Sequence, residues 1–274
     1  MTQPLLRGVR RLGDADDAFW RDFLTRGTAA DRRRRRVFKH LPREPRCRLC
    51  AAPFEGLGAP LMRLVGRRPA TQNPTMCAGC FTFISRHHGG AQIECTMLFA
   101  DIRGSATIAE SMSPAAYHEL LDRFYTVAAT AVIRNSGIID KFVGDEVVAI
   151  FLPLLCGDRH ATLAMDAARE VLAGTGHQSP GGPWVAVGAG IHTGVAWYGT
   201  VGRGTHVDVT AVGDAMNVAA RVASTAVAGE LLVTAAAAAS AGLDGDLERR
   251  PLSLRGRQQA VDVVALPPPS ARSR

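Results

Sequence analysis

Ile138-Ile139-Asp140-Lys141-Phe142-Val143-Gly144-Asp145-Glu146-Val147-Val148-Ala149-Ile150-Phe151-Leu152 holds two apolar, β-branched runs, 138–142 and 147–152, around a polar tip at 143–146. The pattern reads as a β-hairpin with Asp145 at its tip. Upstream, residues 93–102 form a strand-like apolar run that ends on Asp101-Ile102. Between them Pro114 opens a helix to about Ser136, with Tyr117, Leu120, Leu121, Phe124 and Tyr125 as its buried stripe. Downstream, 158–173 reads as a second helix and 207–212 as a short strand. Residues 184–192 and 195–201 read as a strand pair turning at Thr193-Gly194. Gly213-Asp214 opens a helix to about Ala226, with Asp214 as its N-cap. Residues 230–234 and 260–266 are late strands. Helices interleaved with hairpins predict an α+β sandwich on a mostly antiparallel sheet.

The chain has 274 residues, enough for one large domain or an ordinary domain with an appendage. Hydrophobic residues make up 47%, which excludes wholesale disorder. No run of about 18 strongly apolar residues occurs, so no membrane partner is expected, and the Ala run at 235–239 is short. Residues 1–11 lack the apolar core of a secretory signal, and a cytoplasmic location is expected. The net charge of +7 is uneven: residues 1–90 carry 18 basic and 7 acidic side chains, residues 91–274 carry 14 and 18. The positive excess therefore belongs to the first third. Only Lys39 and Lys141 are lysines; every other basic residue is Arg.

Four zones follow. Residues 1–45 are a polar lead with one amphipathic helix over 14–26, marked by Phe19, Trp20, Phe23 and Leu24. An Arg run from Arg32 to Arg36 follows it and reads as a solvated segment, before Pro42 and Pro45 break regular structure. Residues 46–90 form a small module held by something other than an apolar core, with 87–90 as a linker. Residues 91–266 carry the mixed α/β pattern, and 267–274 are a disordered tail. In the second zone, Cys47-x-x-Cys50 and Cys77-x-x-Cys80 suit tetrahedral thiolate coordination of Zn²⁺. An iron–sulfur centre uses the same four thiolates and is the alternative. A disulfide pair is disfavoured in a reducing cytoplasm. Cys95 and Cys156 are expected to pack as small apolar residues.

Asp101 at a strand end and Asp145 at a hairpin tip are two carboxylates that could share divalent cations, which prefer oxygen ligands. Met97-Leu98-Phe99-Ala100-Asp101-Ile102-Arg103-Gly104-Ser105 resembles the opening motif of class III nucleotidyl cyclases. Lys141-Phe142-Val143-Gly144-Asp145 resembles their second metal motif. Asp208-Val209-Thr210-Ala211-Val212-Gly213-Asp214-Ala215-Met216-Asn217-Val218-Ala219-Ala220-Arg221 resembles the third. Ser253-Leu254-Arg255-Gly256-Arg257 is similar to the basic loop before the last strand. The likeness spans about 92–266, with Ala106 where Thr is usual and Met216 where Val is usual.

The resemblance implies a ferredoxin-like cyclase catalytic domain of α+β class behind a small N-terminal four-cysteine metal-binding module. It implies an adenylate cyclase that converts ATP to cyclic AMP and pyrophosphate. Asp101, Asp145 and the carbonyl of Ile102 would hold two Mg²⁺ or Mn²⁺ ions. Asn217 would orient the ribose, Arg221 would meet charge developing on the α-phosphate, and Arg257 would contact the triphosphate, with Arg255 as its competitor. Lys141 and Thr210 would read the base. Adenine N1 accepts a hydrogen bond and suits a cationic donor, whereas guanine N1 carries a proton and suits a carboxylate. Thr at 210 resembles a subclass whose members are often bicarbonate-responsive. The family divides each site between two subunits, so a head-to-tail homodimer is implied. A guanylate cyclase is disfavoured by Lys141. A nucleic-acid-binding regulator built on the Cys module and the Arg run lacks interleaved aromatics. A diguanylate-cyclase-like reading of 143–147 leaves Asn217 and Arg221 without a role.

Overall fold

The computed structural model describes residues 14–27, 29–38, 45–47, 49–71, 74–202, 207–243, 249–253 and 260–266. The expectations for Arg255, Arg257 and the tail at 267–274 lie outside them. Four helices come first: α1 (Asp14–Thr25), α2 (Ala29–Phe38), α3 (Ala59–Leu64) and α4 (Ala78–Arg86). The mixed region runs β1 (Gly90–Ile102), α5 (Ser105–Ser111), α6 (Pro114–Arg134), β2 (Ile138–Val143), β3 (Glu146–Phe151), α7 (Pro153–Cys156) and α8 (His160–Gly174). It continues with β4 (Val187–Val201), β5 (Asp208–Val212), α9 (Asp214–Thr225), β6 (Leu231–Thr234), α10 (Ala235–Ser240), β7 (Arg249–Leu252) and β8 (Val261–Leu266).

The eight strands form one sheet in the order β2-β3-β1-β4-β6-β8-β7, with β5 also on β4. Every pairing is antiparallel except β4 with β6. β1 is buried along nearly its whole length, as a central strand covered on both faces must be. One face packs against α6, α8 and α10, through Phe124, Val132, Met165, Leu172 and Ala238. On the other face Ile93, Cys95, Met97, Ile150 and Tyr198 share a single apolar cluster with Trp20, Leu24, Cys47, Phe54, Met76 and Ile84, and with α9 through Ala219 and Ala223.

Several expectations change. Residues 184–201 are not a strand pair: β4 runs unbroken through Thr193 and Gly194, which face Thr96 and Cys95 of β1. Gly194 marks a close approach instead of a turn, since a Cβ there would lie 2.8 Å from the His192 ring and 3.3 Å from Ala215 of α9. The Arg run is helical and not wholly solvated, because Arg35 is buried with 3% of its surface exposed. Residues 46–90 do have a core, since their Cys and apolar side chains join the cluster on the sheet. The tetrad 87–90 is no slack linker: Gly89 N–H donates to Thr200 Oγ1 at 2.8 Å, and Thr200 N–H returns a bond to the Gly89 carbonyl at 2.8 Å. Gly213 takes the N-cap position of α9 and Asp214 is its first helical residue, where its charge favours the helix dipole. The second expected helix begins at His160, after a short 3-10 turn over Gly157–Arg159. β7 and α10 complete the fold; Pro251 suits β7 because that strand is at the sheet edge.

Candidate active site

The β2–β3 hairpin closes through Gly144-Asp145, between the paired residues Val143 and Glu146. Gly144 has φ +59, and a positive φ at the first central position only is the type II′ pattern that favours Gly there. Tyr125 of α6 fixes this tip. Its ring stacks on Phe142 at 4.3 Å between centroids, and its hydroxyl donates to the Gly144 carbonyl. The Asp101–Glu146 pairing of β1 with β3 then brings Asp145 beside Asp101, and Ile102 N–H donates to the Asp145 carbonyl at 3.3 Å.

Burial raises the Asp101 carboxyl to about 7, aided by its hydrogen bond with Asp145 and opposed by Arg103. Glu146 is also raised, by burial and then by Asp145. Crowded carboxylates of this kind form a hard-oxygen donor set, and the residues fit a divalent cation. Arg103 supplies positive charge there through an ion pair from its Nη2 to Asp101. Its Nη1 donates to the carbonyls of Ala223 (3.4 Å), Ser224 (3.2 Å) and Ala226 (3.3 Å), at the C-terminal end of α9. Arg103 thus ties the carboxylate pair to the helix that carries Asn217 and Arg221. Its place in the opening motif was legible; this second set of partners was not.

α9 lies close on β4 because Gly190 has no side chain: a Cβ there would sit 2.3 Å from the Ala223 nitrogen. Ala215, Val218, Ala219, Val222 and Ala223 face inward. Asn217 is exposed and Arg221 half-buried, four residues apart on the outward side. Among the described residues, no hydrogen bond or ion pair joins either of them to Asp101 or Asp145.

Lys141 and Thr210 do come together, through a residue that sequence reading passed over. Asp140 Oδ2 accepts from Thr210 Oγ1 at 2.7 Å and lies 3.3 Å from Lys141 Nζ. Register shifts between Ile139 and Lys141, so Asp140 sits in a bulge of β2. Strict alternation would put residues 140 and 141 on opposite faces, which is why the sequence did not reveal the pair.

The four Cys sulfurs lie within 4.8 Å of one another, with Cys50 and Cys77 3.7 Å apart. A tetrahedral ion with bonds of about 2.3 Å would set its sulfurs about 3.8 Å apart, so the cluster fits a single ion. Cys47 sits in a tight loop closed by Ala51 N–H to the Cys47 carbonyl (2.8 Å), and Cys77 caps α4, whose first turn carries Cys80. Cys47 is lowered to about 7, mainly by hydrogen bonding from Cys50. Cys77 is lowered further, by Cys47 and Cys50 first and also by Arg67, whose Nη1 lies 3.5 Å from its sulfur. Cys95 is buried, where desolvation pushes its thiol up to about 12; Cys156 is half-buried.

The model of the adenylate and guanylate cyclase catalytic domain matches residues 90–263. The chain belongs to this family. It is 34% identical over 134 residues to an adenylate cyclase of Anabaena cylindrica, covering 46% of this chain and 26% of that one. It is 31% identical over 191 residues to adenylate cyclase 1 of Rhizobium meliloti, covering 65% and 29%. The chain therefore spans under a third of either relative. Its fold is shared with the guanylyl cyclase Cya2, at TM-score 0.60 and 22% identity over 65% of this chain and 93% of that one. It is shared too with the adenylyl cyclase CyaB of P. aeruginosa, at 0.57 and 24% over 68% and 98%. Class III cyclases use divalent metal ions, and the cyclase domain typically dimerises. Among the described residues no helix is long and apolar enough to cross a membrane.

Proposed function

We propose that this cyclase acts on ATP, releasing cyclic AMP and pyrophosphate. The observation that carries this reading is the meeting of Lys141 and Thr210 at Asp140. A cation placed in the base pocket suits the bare N1 of adenine and opposes the protonated N1 of guanine. Asp101, Asp145 and the carbonyl of Ile102 would hold the two Mg²⁺ or Mn²⁺ ions. When bound, these ions would acidify the ribose 3′-hydroxyl and offset phosphate charge. Asn217 orients the ribose. Arg221 donates to the oxygens of the α-phosphate as their charge grows, and Arg257 contacts the triphosphate. The outward position of Asn217 and Arg221, with no bond to the carboxylate pair among the described residues, supports a head-to-tail homodimer in which each copy completes the other's site. Purified protein given ATP with Mg²⁺ or Mn²⁺, with and without bicarbonate, should form cyclic AMP, and Asp101→Ala should abolish it. Unchanged turnover in that variant would refute the metal assignment.

The four-cysteine module is proposed to hold Zn²⁺ and to modulate activity. Sulfurs this close suit one ion better than a multi-iron cluster, whose thiolates bind separate irons. Arg35 supports the modulatory part. Its Nη1 donates to the carbonyl of Leu49, inside the first Cys loop, and its Nη2 donates to the carbonyl of Gly137, which leads into β2. Burial lowers its pKa, and the thiols of Cys156, Cys47 and Cys50 oppose that shift. Metal content with the ultraviolet–visible spectrum separates zinc from iron. If Cys47→Ser leaves both turnover and dimerisation at wild-type values, the modulatory role is refuted.

A further inference from the structure

We infer that Asp140 is a specificity-determining residue that fixes which way the Thr210 hydroxyl points. The inference rests on the adenylate reading above and adds the group that makes Thr210 selective. A hydroxyl is ambivalent: it can donate its one proton or accept on its lone pairs, so alone it would serve adenine's amino group and guanine's carbonyl equally well. Here the proton is committed. Thr210 Oγ1 donates to Asp140 Oδ2 at 2.7 Å, and the Asp140 side chain is fully buried, away from bulk solvent that would compete for the bond. An ionised carboxylate accepts only, so it cannot return a proton to Thr210. The lone pairs of Thr210 are what remain for the base. They accept from the N6 amino group of adenine and meet guanine O6 as acceptor against acceptor.

Two further observations fit this role. The bulge at 139–141 places Asp140 where it also meets Lys141 Nζ at 3.3 Å, so one carboxylate oxygen serves both base-reading groups. Thr210 itself is held on β5, opposite Gly199 of β4, so its hydroxyl has a fixed origin. Asp140 acts on the base through Thr210 and Lys141 and takes no part at the reacting phosphate. It is a positioning residue, and its signature is a change in base selectivity.

The test uses purine riboside triphosphate, which keeps the N1 acceptor read by Lys141 but lacks the N6 amino group. The wild type should turn over ATP roughly five- to tenfold better in kcat/KM than this analogue, the size of one net neutral hydrogen bond. Asp140→Ala should bring that ratio close to one. Asp140→Asn, which keeps an acceptor oxygen, should retain most of it. In a Thr210→Val background Asp140→Ala should change the ratio no further. Thermal melting of each variant accompanies the kinetics. A wild type that prefers ATP to GTP yet does not distinguish ATP from the analogue would overturn the inference while leaving the adenylate reading intact. So would an Asp140→Ala variant that loses rate equally on both. A wild type that prefers GTP would instead remove the reading on which the inference rests.

Discussion

Asp101 carries a pH signature. Its carboxyl is raised to about 7, so the folded chain binds that proton more tightly than the unfolded chain does. Without divalent ions, its contribution to stability is therefore favourable at acid pH and is lost as pH rises from the ordinary carboxylate range through 7. Asp101→Asn should flatten that part of the pH dependence of Tm. A divalent ion needs the ionised form, so the Tm gain from added Mn²⁺ should be larger at pH 8 than at pH 6. An equal gain at both would contradict the shared-carboxylate site. Lys141→Glu replaces a donor with an acceptor opposite N1, and kcat/KM for ATP should fall by about 10²-fold; unaltered ATP use would sink the base-reading role. At this scale the sequence singled out Asp101, Lys141, Asp145, Asn217 and Arg221, because each sits in a motif. Asp140 and Arg103 escaped, because their roles lie in whom they touch.

Hairpin β2–β3, the Pro114-initiated helix and α9 were legible because local signals agree there: turn chemistry, Pro at the first helical position and apolar spacing. β4 was misread because Gly194 looks like a turn residue, when its smallness serves the approach of α9. The same logic gives a test on that strand. Gly190→Ala would put a Cβ 2.3 Å from the Ala223 nitrogen, a backbone atom that cannot swing aside. It should cost about 1–3 kcal/mol in a urea melt and should lower turnover by displacing Asn217 and Arg221. Wild-type stability would mean that α9 does not rest on β4 as described. α2 was misread because charge composition says nothing about whether an arginine such as Arg35 is buried. Arg35→Met keeps an unbranched apolar stem, shorter than that of Arg, and removes the bonds to Leu49 and Gly137. It should destabilise by about 1–3 kcal/mol, since the buried Gly137 carbonyl and the part-buried Leu49 carbonyl lose their donor.

Across the whole molecule, the N-terminal third and α9 cover one face of a sheet whose other face carries α6, α8 and α10. The sequence separated these zones by composition, yet a shared core is a long-range property that no local window contains. If copies pair head to tail, Asp101→Ala and Asn217→Ala should each be inactive alone. Mixed and re-equilibrated, they should recover up to about a quarter of wild-type activity, because heterodimers would have one intact site. No recovery from mixtures verified to contain heterodimers would contradict shared sites. The most direct measurement is competition: purified wild-type protein incubated with equimolar ATP and GTP and Mn²⁺, with products separated chromatographically. Cyclic AMP in large excess over cyclic GMP is the expected result; predominant cyclic GMP, or no cyclic nucleotide at all, would contradict an adenylate cyclase.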